Sequence, residues 1–225
     1  TYGYREMANA KVPVTLSSRE ATDALASIAV EHYHDFKQFA GIYYDSPEQI
    51  AILNATAPGF FADLHRWLID RIVLNVRKVL DPPQTMGKTN LTVPALHQIL
   101  PAEPKYPVVE AQELIERLRS RAVRVKSWRH HLVAHIDRET ALDQTGGCHE
   151  FVPSEIGEFY KSLEAYFDLI YRTLWDTVHP IDAVSHSDTH ELMRAVRDAT
   201  VMADLLERDV MAYDALQRQS RFGRK

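Results

Sequence analysis

This sequence has almost no cysteine and no apolar run long enough to cross a membrane. Cys148 is the only cysteine, which excludes an intramolecular disulfide and favours a reducing compartment. Residues 1–14 lack the apolar core of a secretory signal, and no uncharged run approaches the roughly 20 residues of a membrane span. We therefore expect a soluble protein of the cytoplasm that has no membrane partner.

The chain also has no excess of positive charge. It carries 26 Lys and Arg against 31 Asp and Glu, which gives a net charge of -5 at pH 7. This balance excludes a surface covered with positive charge to hold nucleic acid, so any such binding must be local. An apolar share of 45% is enough for one large core. We predict a flexible arm over 1–17, a single domain over 18–217 and a basic tail over 218–225.

Glycine is scarce, with eight residues in the chain, and no regular alternation of strands and turns is visible. This composition favours an all-α fold, an up-and-down bundle of long helices. Apolar spacing, N-cap residues and prolines predict helices over residues 19–44, 47–80, 93–100, 109–136, 154–178 and 188–217. A kink is expected at Pro58-Gly59, and the prolines after Asp81 should end the second helix. Aromatic residues such as Tyr43 and Trp67 could stack on bases, but aromatics at helical spacing lie more often in the core, where we expect them.

The helix predicted over 109–136 has a charged residue on its apolar stripe. The stripe follows spacings of three and four through Ile115, Leu118, Ala122, Val125, Leu132 and Ile136. Arg129 takes the stripe position before Leu132, where a guanidinium is costly unless it has a partner or lines a cleft or a subunit interface. His135 starts about 120° away around the helix, and the long Arg side chain lets the two converge. Alternatively, Arg129 snorkels at a bundle edge and His135 is favoured by the helix dipole.

The spacing of Arg129 and His135 resembles a family signature. Five residues separate the two, and the first of them, His130, is polar. The same resemblance is carried by Leu80-Asp81-Pro82, by the stretch from Gly87 to Leu96 with its Asn90-Leu91-Thr92, and by Ala134-His135-Ile136-Asp137. Over roughly residues 20 to 180 the chain resembles the abortive-infection U-type branch of the HEPN superfamily (higher eukaryotes and prokaryotes nucleotide-binding).

The resemblance implies an HEPN-like helical bundle that cleaves RNA without a metal or other cofactor. Such proteins pair two copies of the motif across a homodimer, which would place Arg129 in a cleft between subunits. Because RNA supplies its own 2′-OH nucleophile, Arg129 would stabilise charge on the phosphate while His135 transfers protons. His130 or His131 would supply the second proton-transfer group, although in the family the polar position after the Arg is often thought to assist instead. His131 and Asp137 are accessory candidates. The resemblance further suggests a toxin or phage-defence effector with an antitoxin protein as partner.

A basic run leads into this motif. It holds six basic residues in thirteen positions and no acid: Arg117, Arg119, Arg121, Arg124, Lys126 and Arg129. Arg117, Arg121 and Arg124 share one helical face. We expect these three and Lys126 to bind RNA phosphates, which gives affinity with little choice of sequence. The alternative is a solvated face, because helix surfaces are commonly charged.

Two other classes of function stay open at this point. His131 and His135 are four residues apart, as are His186 and His190, and such pairs can ligate zinc or iron. No His-Glu-x-x-His sequence accompanies them, which disfavours the metal hypothesis. The other class is a non-catalytic helical dimer that binds nucleotide, RNA or a protein through the same cleft.

Overall fold

The chain forms an all-α bundle, as the composition predicts. The computed structural model describes residues 16–123, 125, 152–179, 181, 187–208 and 218. Its helices, in chain order, are α1 (Ser18–Tyr43), α2 (Pro47–Thr56), α3 (Pro58–Leu80), α4 (Val93–Ile99), α5 (Val108–Arg121), α6 (Pro153–Trp175) and α7 (Ser187–Arg208). A 3-10 turn, Leu100–Ala102, follows α4. Among the described residues, no helix is long and apolar enough to span a membrane.

Side-chain caps fix where several helices begin. Ser17 caps α1 in a capping box: its backbone N–H donates to the Glu20 carboxylate at 2.9 Å, and the Glu20 N–H donates to the Ser17 hydroxyl at 3.2 Å. Ser46 precedes α2, and Thr92 accepts from the Ala95 N–H at the start of α4. Since these caps are local, the starts of α1, α2 and α4 agree with the sequence prediction within one residue.

The helix predicted over 47–80 is two helices. Ala57 has φ -156° and ψ 72° between α2 and α3, so the expected kink at Pro58 is a complete break. The proline ring clashes with a helical conformation of the residue before it and removes one N–H donor. Ala57 compensates by serving both helices: its N–H donates to Leu53 O at 3.1 Å, and its carbonyl accepts from the Phe61 N–H at 3.1 Å.

A small β-hairpin after α3 is absent from the sequence prediction. Its strands are β1 (Gln84–Thr85) and β2 (Lys88–Thr89), joined by Met86 and Gly87 with φ values of 50° and 76°. The Asn90 side chain holds the hairpin by donating to Pro82 O and to the Thr85 hydroxyl, each at 2.8 Å. Strands of two residues are too short to show an alternating pattern, which is why sequence reasoning missed them.

The helix predicted over 109–136 is interrupted at Ala122. Helix α5 ends at Arg121, and the Ala122 N–H bonds back to Leu118 O at 3.0 Å. The apolar stripe is confirmed as far as it is described, because Ile115, Leu118, Ala122 and Val125 are all buried. The remainder of the predicted helix, from residue 126, lies outside the described residues, as do 209–217 at the predicted end of the last helix.

The core is built around α1 and α6. Helix α1 contacts α3, α4, α6 and α7, while α5 packs mainly on α6. Helix α6 contributes four of the five largest fully buried side chains, Phe159, Tyr160, Tyr166 and Phe167, and α1 contributes Phe39. Tyr43 is buried and donates to Phe61 O at 2.8 Å, but Trp67 is 56% exposed, so the expectation that it lies in the core is wrong. The docking of α5 on α6 fixes which face of α5 remains at the surface.

Helices α1 and α7 lie close together at Gly41. A Cβ at this position would lie 2.9 Å from the Cγ2 methyl of Thr189, which is itself buried. We expect Gly41→Ala to lower the free energy of unfolding by about 1 kcal/mol, because overpacking outweighs the gain in helix propensity. Thr189→Ser removes the clashing methyl, so the double variant should recover most of this loss in a urea titration. Equal loss in the single and double variants would contradict the steric explanation.

Candidate functional site

Most of the predicted site residues lie outside the described residues. These are the catalytic candidates Arg129, His135 and His130, the phosphate-binding candidates Arg124 and Lys126, and the accessory candidates His131 and Asp137. Their placement in the fold therefore stays a prediction. Arg117 and Arg121 are described, and both lie in the last turns of α5. The end of α5 is thus the part of the predicted site whose geometry is known.

A surface pocket of about 300 Å³ lies beside the end of α5. Arg117, Ser120 and Arg121 line it from α5, and Glu155 lines it from the first turn of α6. The three α5 residues share one face because they are three and four positions apart. Leu118, which is fully buried, holds the adjacent face of α5 within the core. Packing of α5 on α6 therefore brings two guanidinium groups to the edge of one pocket.

The three described arginines of the basic run have different surroundings. Arg119 Nη1 lies 2.6 Å from Glu116 Oε1, within α5 itself. Arg121 Nη2 lies 3.4 Å from Glu158 Oε2 on α6. Arg117 is exposed and forms no ion pair with any residue that the structure describes. The basic run is therefore partly neutralised, and Arg117 is the described member best placed to bind an anion.

Glu158 interacts with two cations. Besides Arg121, it accepts from Lys161 Nζ at 2.8 Å. The pKa of Glu158 is lowered, first by the hydrogen bond and charge of Lys161 and to a smaller degree by Arg121. The carboxylate is therefore charged at neutral pH. Sequence reasoning missed Glu155 and Glu158, because they lie more than thirty residues after Arg121 in the chain and reach it only through helix packing.

Two of the described histidines, His32 and His97, are partly buried in the bundle. His97 Nδ1 lies 2.6 Å from the Tyr106 hydroxyl, and burial lowers the pKa of His97. Burial, followed by the charge of Lys78, lowers the pKa of His32 to about 4. Of the two histidine pairs considered for a metal, only His190 is described, and it is exposed on α7. Within the described ranges, no three His, Cys, Asp or Glu side chains cluster as metal ligands would.

The structure shows a helical domain with a basic pocket edge, and comparison with protein families gives the class of this domain. The profile of the AbiU2 family of HEPN domains matches residues 17–195, a range that includes α1 to α6, the start of α7 and the Arg129 and His135 positions. The chain therefore belongs to the AbiU2 family of HEPN domains. Searches of curated proteins and of solved structures found no match.

Proposed function

We propose that the chain is a metal-independent endoribonuclease of the HEPN type. The observation that carries the proposal is the Arg129 and His135 pair, which lies inside the segment matched by the family. Arg129 follows Arg121, the last residue of α5, by eight positions. That end of α5 presents Arg117 and Arg121 at a surface pocket. A pair suited to phosphate chemistry thus follows a surface suited to phosphate binding.

The proposed reaction uses the nucleophile of the substrate. The 2′-oxygen of one nucleotide attacks the adjacent phosphorus, and the bond from phosphorus to the 5′-oxygen breaks. His135 and His130 exchange the two protons, one taken from the 2′-OH and one given to the leaving 5′-oxygen. The Arg129 guanidinium stabilises the charge that builds on the phosphate oxygens. The composite form of this site takes one motif from each subunit of a homodimer; an antitoxin partner and a role in defence belong to the same proposal.

The product ends test this chemistry directly. We expect cleavage of a labelled RNA to give a 2′,3′-cyclic phosphate and a 5′-OH, and EDTA to leave the rate unchanged, because the attacking oxygen belongs to the RNA and not to a metal-bound water. Mass spectrometry of the fragments identifies both ends. A rate abolished by EDTA and restored by zinc or iron would favour the histidine metal site. RNA binding without cleavage would favour the non-catalytic helical dimer.

Arg117 is expected to contribute to RNA affinity, whereas Arg119 is not. Arg117→Ala should weaken binding of single-stranded RNA several-fold and lower the slope of log affinity against log salt by about 0.7, the value for one lost phosphate contact. Arg119→Ala is the matched control, because it removes the same charge from the same helix at a position already paired with Glu116. Fluorescence anisotropy at several salt concentrations measures both. Equal effects of the two variants would make the basic face a solvated surface.

A further inference from the structure

One ion pair connects the pocket edge to α6. Arg121 and Glu158 are partly exposed, with 36% and 41% of their side-chain surface accessible, so the pair can open without disturbing the core. Arg121 Nε is buried and has no hydrogen-bond partner among the described residues, so the pair with Glu158 leaves this donor unsatisfied. The contact between Arg121 Nη2 and Glu158 Oε2 at 3.4 Å engages one guanidinium nitrogen, so most of the N–H donors of Arg121 are not used by Glu158.

We infer that Glu158 competes with the RNA backbone for Arg121 and so limits the affinity of the pocket for RNA. This inference rests on the proposed ribonuclease function. A carboxylate and a phosphate present similar pairs of oxygens to a guanidinium, so occupation of Arg121 by one excludes bidentate binding of the other. The negative charge of Glu158 also repels a phosphate that approaches Arg117 at the same pocket.

Lys161 lowers the free-energy cost of replacing Glu158 by a phosphate at Arg121. When a phosphate takes Arg121, the Glu158 carboxylate keeps its contact with Lys161 Nζ at 2.8 Å and is not left without a cation. The cost of displacement is then limited to one exposed ion pair, which is a weak interaction. Glu158 therefore lowers RNA affinity by a modest factor and does not close the pocket.

The experiment measures binding of an uncleavable single-stranded RNA, methylated at every 2′-oxygen, to the full chain. We expect Glu158→Gln to tighten binding about two- to fivefold, which corresponds to the free energy of an exposed ion pair. The slope of log affinity against log salt should become steeper by about the amount that one phosphate contact adds. Glu164→Gln is the matched control, because it makes the same change of charge on another face of α6. In an Arg121→Ala background, Glu158→Gln should lose most of its effect.

Heparin, a polyanion without bases, separates failure of this inference from failure of the proposed function. Tighter heparin binding by Glu158→Gln, with no RNA binding by any variant, would support the competition and overturn the ribonuclease proposal. If RNA cleavage depends on Arg129 and His135, but Glu158→Gln and Glu164→Gln bind RNA and heparin with equal affinity, the competition alone is overturned. If Glu158→Gln has the same effect in the Arg121→Ala background as in the wild type, the competition is also overturned. If no variant binds either probe, both the competition and the ribonuclease proposal are overturned.

Discussion

Replacing either Arg129 or His135 by alanine is expected to lower the rate of RNA cleavage at least a hundredfold. A positioned proton-transfer group contributes about 10²- to 10⁴-fold to a rate, and a preorganised donor at the developing charge about 10²- to 10³-fold. Both side chains are polar, so we expect the helical circular dichroism and the melting temperature to change little. Single-turnover cleavage of a labelled RNA, with enzyme in excess, reports the chemical step.

His190→Ala is the matched control for His135→Ala, because His190 is an exposed histidine on α7, away from the motif in sequence. It should cleave RNA at the wild-type rate. Mixing the two inactive variants tests the arrangement across the proposed homodimer. A mixed dimer keeps one Arg129 and one His135, on different subunits, so a composite site built from both motifs should recover part of the activity. Full activity of either single variant would contradict the assigned roles.

Leu118→Ala is expected to cause the largest loss of stability among the substitutions considered. Leu118 is fully buried in α5, among the core residues that join this helix to α6. A Leu→Ala change in a core removes buried apolar surface and leaves a cavity, which costs about 2–5 kcal/mol. With a loss of about 3 kcal/mol, the melting temperature of a chain of this size should fall by roughly 6–12 °C. Differential scanning calorimetry and a urea titration measure the change.

The same substitution in an exposed leucine gives the control. Leu205 on α7 is 48% exposed, so Leu205→Ala should cost less than about 1 kcal/mol. If Leu118→Ala and Leu205→Ala lower the free energy of unfolding equally, the packing of α5 on α6 contributes little to the stability of the fold. Leu118→Ala should also weaken RNA binding as the temperature rises, because the arginines of α5 keep their positions only while that helix is docked.

The sequence by itself determined the helix starts, several core positions and the family, because each depends on residues close together in the chain. Ser17 with Glu20, Ser46 with Pro47, and Thr92 each set a helix start through contacts within a few residues, and spacings of three and four marked Ile115 and Leu118 as core. The family resemblance likewise depended on short motifs, and the family is confirmed. Neither the break at Ala57 nor the hairpin at Met86 and Gly87 was predicted, because proline permits a kink or a break and two-residue strands carry no period.

Only the tertiary structure decided which of Arg117 and Arg121 is paired with an acid. In the sequence these two are equivalent cations in a stretch without acids, whereas Arg119 can pair with Glu116 within its own helix. In the fold, docking of α6 brings Glu158 to Arg121, while Arg117 keeps no ion pair with a described residue. Coulomb energy depends on distance in space, and packing of helices far apart in the chain sets that distance. Residue types and spacing therefore identified a basic segment, whereas helix packing determined which of its charges remains open to an anion.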